Sequence, residues 1–244
     1  MLPMPQKISK FLNLLKWPSA IFLLMFLPAT LLATWRMLGE FISTPAPIIP
    51  LLSGAAGYAL FWKIFVCRKS WGSWFSTLEH ELTHVIFAIL TFNKVKDFRV
   101  TDREGGYMSY TGEGNWLISC SPYFFPSFSL LMVLVLSISA PENFLLTSAA
   151  LGITLSYNVI ANVKQSKNPG NWSKSPEHSL TDTSGDLSQI GAPFAYAFLP
   201  VANLLIYTGI LAYVFAGSTG MKNFYLNIWG YTWDFFVGLP AIFL

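Results

Sequence analysis

The sequence predicts a mainly α membrane protein, a bundle of about six transmembrane helices with a small β-hairpin inserted after the third. Three observations carry this reading. Only 11% of the 244 residues are charged while 53% are hydrophobic, whereas a soluble domain carries about a quarter charged residues. The apolar residues fall into charge-poor runs, most of them near the ~20 residues that a bilayer crossing needs. One stretch, 94–116, breaks the pattern with short alternating segments around a pair of glycines.

Taken in order, the first run is Trp17–Trp35, charge-free between Lys16 and Arg36 and carrying Pro28 as a kink point. It is too long for a signal-peptide core and no small-x-small cleavage site follows, so it is read as a retained span. The second runs from about Ala46 to Cys67, with Gly54, Ala55, Ala56 and Gly57 permitting close helix packing. The third, about 73–92, is the only predicted span with several ionisable groups inside it, and such groups in lipid mark function. In 94–112, Val95–Val100 and Tyr107–Tyr110 read as paired strands, with Glu104, Gly105 and Gly106 as the turn.

Leu117–Ala140 is the fourth span, its entry interrupted by Pro122 and Pro126. Phe144–Val163 is the fifth, ending in Asn158 and Asn162 on one face. A polar loop spans about 164–186. Leu187–Met221 is a sixth apolar run, and Phe224–Leu244 is a seventh span or an interfacial helix. Residues 1–244 thus read as a single integral membrane domain. The net charge of +3 is scattered, which argues against a nucleic-acid footprint. Lys7, Lys10 and Lys16, with Arg68 and Lys69, orient the N-terminus toward the cytoplasm. Cys67 and Cys120 adjoin apolar runs and read as small core residues.

The third helix contains Glu79-His80-Glu81-Leu82-Thr83-His84, within which lies the string H-E-x-x-H. Four residues apart on a helix, His80 and His84 share a face and can hold one Zn2+ ion. Glu81 lies beside them, placed to take a proton from a zinc-activated water as a general base. Glu79, about 100° round the helix from His80, suits a supporting role, and Thr83 reads as a neutral helix residue. A catalytic zinc needs a third protein ligand and an open position. Asp186 at the start of the sixth run is the first choice, with a helix N-cap as its plainer role. Asp182, His178, Asn158 and Asn162 remain alternatives.

With these residues in place, the chain resembles the site-2-protease-like membrane zinc metalloproteases, in particular a divergent bacterial-type branch. The resemblance rests on His80-Glu81-Leu82-Thr83-His84 on a membrane helix, the glycine-containing hairpin, Ser121-Pro122-Tyr123-Phe124-Phe125-Pro126 after it, and an acidic residue at a later helix start. It implies His80, His84 and a later aspartate as ligands of Zn2+ and Glu81 as the base. The family usually presents that aspartate as L-D-G, where this chain has Gly185-Asp186-Leu187. A simple span count also sets the motif helix and the Asp186 helix antiparallel, where the family has them parallel. The expected partners are membrane lipid and a membrane protein or peptide substrate, in a multi-pass protein of the bacterial plasma (inner) membrane. The competing reading is a non-catalytic membrane scaffold or transporter-like protein that keeps a zinc-binding or decayed motif.

Overall fold

The computed structural model describes residues 3–66, 71–101, 105–167 and 186–242. His178, Asp182, Glu104 and Cys67, and most of the predicted polar loop, lie outside the described residues. The elements are α1 (Met4–Leu14), α2 (Lys16–Ser43), α3 (Ile49–Phe61, running on as a π-helical turn Trp62–Val66), α4 (Trp71–Leu90), β1 (Val95–Thr101) and β2 (Gly105–Tyr110). They continue with α5 (Trp116–Cys120), a 3-10 turn Ser121–Tyr123, α6 (Ser127–Ile138), α7 (Phe144–Lys167), α8 (Asp186–Ile190) and α9 (Ala192–Ile242). The protein is mainly helical with one two-stranded antiparallel hairpin.

Among the described residues, four helices are long and apolar enough to cross a membrane: α2, α3 with its π turn, α7 and α9. The α5–α6 pair makes a fifth if it forms one broken span, bent by 67°. The break falls where Pro122 and Pro126 remove backbone donors, as the sequence suggests. The motif helix α4 is not among these candidate spans, because two glutamates and two histidines interrupt its apolar residues. The expected sixth and seventh runs are joined in α9. A straight helix of 51 residues would be ~77 Å long, over twice a bilayer core, and α9 is not straight. At Ala216 and Gly217 the backbone leaves the helical region, Gly217 taking φ +64°. The chain there doubles back, so that Gly220 meets Ala212 and the Tyr225 hydroxyl donates to the Leu205 carbonyl.

Two cores organise the bundle. In one, α2 and the first leg of α9 run parallel, Trp17 meeting Phe194, Thr34 meeting Thr208 and Phe41 meeting Phe215. Joined to it, α3 and α7 also run parallel, with Tyr58 against Tyr157 and Lys164 over Trp62. They cross at Gly54 and Gly152, where a Cβ would lie 2.0 Å from the Ala149 and Leu51 carbonyl oxygens respectively. This is backbone-to-backbone packing that only glycine allows. The second core is an aromatic cluster in which Phe87, Trp116, Phe124, Phe194 and Phe198 pack edge-on and stacked. Such ring pairs contribute roughly 0.5–1.5 kcal/mol each beyond area burial, and here they fix α4, α5 and α9 around the polar residues of α4.

The hairpin differs from the sequence expectation in its glycines. Gly105 and Gly106 pair with Thr101 and Val100 as the first residues of β2 rather than forming the turn. Gly106 lies directly over α4. Helix α1 is an element the sequence reading did not foresee. The buried Trp116 ties it to α5, its indole N–H donating to the Leu12 carbonyl at 2.7 Å.

Gly54→Ala and Gly152→Ala should each destabilise the protein by about 1–3 kcal/mol through overpacking, read as a lowered thermal midpoint in detergent. Gly57→Ala meets nothing within 4 Å and should leave the midpoint unchanged.

Candidate metal centre

The site is built from the middle of α4 outward. His80 and His84 project from one face, with Nε2 atoms 3.2 Å apart. Asp186 arrives from α8, a helix of one turn set apart from α9 by Gly191 at φ +82°. Its Oδ2 lies 3.0 Å from His80 Nε2 and 3.1 Å from His84 Nε2. The expected antiparallel count therefore does not keep Asp186 away. The carboxylate sits on its own short helix against α5, and the fold around the motif is bent at α5–α6 rather than built of straight spans.

Three atoms converging in this way fit a metal. Two neutral imidazole lone pairs at 3.2 Å repel each other unless a cation or a proton lies between them, and the carboxylate supplies the matching negative charge. The separations are close to the ~3.3 Å edge expected between ligands of a tetrahedral site with ~2.0 Å bonds. Among the described residues, His80, His84 and Asp186 are the group that could hold a metal ion.

A backbone carbonyl sets the orientation of His84. His84 Nδ1–H donates to the Ile118 carbonyl at 2.8 Å, which turns Nε2 toward Asp186. Pro122 has no N–H to give that carbonyl the usual helical bond, so the Ile118 carbonyl accepts from the Ser121 N–H and hydroxyl as well as from His84. Asn115 caps α5, its side chain accepting from Ile118 N at 3.2 Å, and so fixes the turn that presents the carbonyl.

Glu81 is buried on the adjoining face, close enough to His80, His84 and Asp186 to interact electrostatically with all three. Gly106 of β2 covers it: a Cβ there would fall 2.7 Å from Glu81 Cγ and 2.5 Å from Thr77 Cγ2. At the far end of β2, burial and the Asp186 carboxylate push the Tyr110 phenol above its ordinary range. Tyr123 sets its ring edge-on to His80 at 5.5 Å between centroids.

Asn158 and Asn162, weighed as ligands from the sequence, bond instead to each other and, through Asn158, to Glu79. Thr83 is not the neutral helix residue expected. It is buried, donates to the Glu79 carbonyl at 2.7 Å and meets Ser127 Oγ at 2.6 Å. Ile118 and Gly106 escaped sequence reasoning because a backbone carbonyl and an absent side chain leave no motif. The proline at 122 was the one available signal for the carbonyl.

Residues 51–164 match a family model described as Peptidase M50B-like. The chain carries a Peptidase M50B-like region. The matched stretch takes in α4, the hairpin, α5, α6 and nearly all of α7, and is consistent with a site-2-protease-like family. Asp186 lies beyond it. No curated protein and no solved structure matches the chain.

With Asp186 on a separate element, Asp186→Ala should lower affinity for a divalent cation by at least about tenfold, measured by competition with a chromophoric chelator. Asp234→Asn, on an exposed part of α9, should stay within about twofold of the parent protein.

Proposed function

We propose that the protein is a zinc-dependent endopeptidase embedded in a membrane, a multi-pass protein of the bacterial plasma (inner) membrane that cleaves membrane proteins or peptides. The observation that carries this reading is the meeting of His80, His84 and Asp186 within 3.0–3.2 Å beside the buried Glu81. The Peptidase M50B-like match over 51–164 supports peptide-bond hydrolysis, and the apolar helices support the membrane setting.

His80, His84 and Asp186 would hold the ion. Bound zinc supplies a Lewis acid for the scissile carbonyl and makes water acidic enough to deprotonate near neutral pH. The chain's own part centres on Glu81, which accepts the proton of the attacking water and returns it to the departing amine. Its burial, under Gly106 and against Thr77, excludes bulk water that would otherwise compete for that proton. His84, held by the Ile118 carbonyl, keeps Nε2 free of its proton and pointed inward.

The purified chain should contain one zinc ion, and His80→Ala should lose it. Glu81→Gln should retain the ion and lose cleavage of a membrane-peptide substrate by about 100-fold or more, the scale of general-base loss. Undiminished cleavage in Glu81→Gln would exclude Glu81 as the base, whereas absence of cleavage in both the parent and the variant would favour a non-catalytic scaffold or transporter role. Gly106→Ala, which crowds Glu81 but touches no ligand atom, should cut turnover by about tenfold or more at unchanged zinc content.

A further inference from the structure

A second polar cluster lies behind the histidines, and the hydrolytic mechanism does not use it. Glu79 is 4% exposed. Its Oε1 accepts the Phe128 backbone N–H at 3.0 Å, in the first turn of α6. It also accepts from the side chain of Asn158 on α7. The buried Asn158 is oriented in turn, because its Oδ1 takes a hydrogen bond from Asn162 Nδ2 at 3.2 Å and another from the Tyr207 hydroxyl on α9. One carboxylate thus ends a relay that links α4, α6, α7 and α9. One turn further on, Thr83 meets Ser127 Oγ at 2.6 Å, a second pin on the same face of α4.

The two pins bracket the ligand histidines from behind. An imidazole tip stands roughly 6 Å from its helix axis, so turning α4 by about 10° shifts His80 Nε2 by about 1 Å. Asp186 sits on α8 and does not follow that rotation. The ligand triangle therefore depends on something that fixes the rotation of α4. A leucine at 79 would pack in the bundle without the penalty of a buried carboxyl group, whereas the acid gathers donors from α6 and α7 at once. Glu79 and Thr83 lie on a flank of α4 about 100° round from the histidines, next to a small cleft that His80, Asn158 and Asn162 also line.

We propose that Glu79 is a positioning residue whose hydrogen bonds to Phe128 and Asn158 set the rotation of α4 and so hold His80 and His84 in register with Asp186. This rests on the reading of that triad as a metal centre. In Glu79→Gln one acceptor oxygen is replaced by a donor that faces the donating amide of Asn158. The paired exchange Glu79→Gln with Asn158→Asp restores donor against acceptor, and its new carboxylate still receives Tyr207 and Asn162.

The test uses the full chain in lipid nanodiscs loaded with Co2+. Glu79→Gln should bind Co2+ about 10–100-fold more weakly than the parent, with shifted visible d–d bands, and the paired exchange should regain most of both. Tyr207→Phe, which removes a single hydroxyl at the far end of the relay, should weaken Co2+ binding by a smaller factor in the same direction, and it serves if Glu79→Gln fails to fold. Parent-like affinity and spectrum in both Glu79→Gln and Tyr207→Phe, or a paired exchange no better than Glu79→Gln alone, would overturn the proposal while leaving the metal centre standing. A parent protein that binds no Co2+ and no zinc overturns the metal-centre reading and this proposal with it.

Discussion

Helix α4 carries Glu79, His80, Glu81 and His84 into surroundings built from phenylalanine, leucine and alanine, and each must find a partner inside the protein. With little water to solvate them, unpaired polar groups there are costly. The fold answers Glu79 and the two histidines directly. Ile118 offers a carbonyl to His84, Phe128 and Asn158 donate to Glu79, and Asp186 comes to both histidines. The irregular features of the protein follow from these demands. At the 67° bend between α5 and α6 the Ile118 carbonyl takes His84 alongside Ser121, and the Phe128 N–H of α6 turns toward Glu79. A straight span in that position would close its own hydrogen bonds and leave α4 unsatisfied.

Much of this was legible in the sequence, and the parts that were not share a cause. The charge-free runs located α2, α3 and α7 because lipid selects for length and apolarity, which a window of residues records directly. The hairpin was legible from alternation. His80, Glu81 and His84 stood out because their spacing fits a helical face, and Asp186 because it begins a late apolar run. Its closeness to the histidines was hidden by counting spans as though each crossed once and straight. The reversal at Gly217 left only a glycine among small residues, Ala216 to Gly220, and the merged apolar runs read as a sixth span followed by a seventh span or an interfacial helix. Helix α1 was missed since eleven residues with lysines on one side look like a flanking segment.

The roles within the motif were also unevenly written. A spacing rule finds ligands because the metal constrains both at once. It says nothing about rotation, depth or cover, which come from backbone groups at Ile118, Phe128 and Gly106. Glu79 and Thr83 are intermediate. Their side chains are visible in sequence, but their partners are on α6 and α7, and only the packing of those helices gives them meaning.

The doubling back of α9 has a consequence for how the two ends of the protein are joined. The first leg leaves the level of Lys16 and Asp186, and the second returns along α2, Trp229 stacking near Phe26. The second leg grips α2 through Tyr231, which receives a hydrogen bond and a cation–π contact from Arg36. The first leg runs from the Gly217 corner back past Tyr207 to Gly191. The far end of the bundle is thus continuous, through the first leg of α9, with the short helix that carries Asp186.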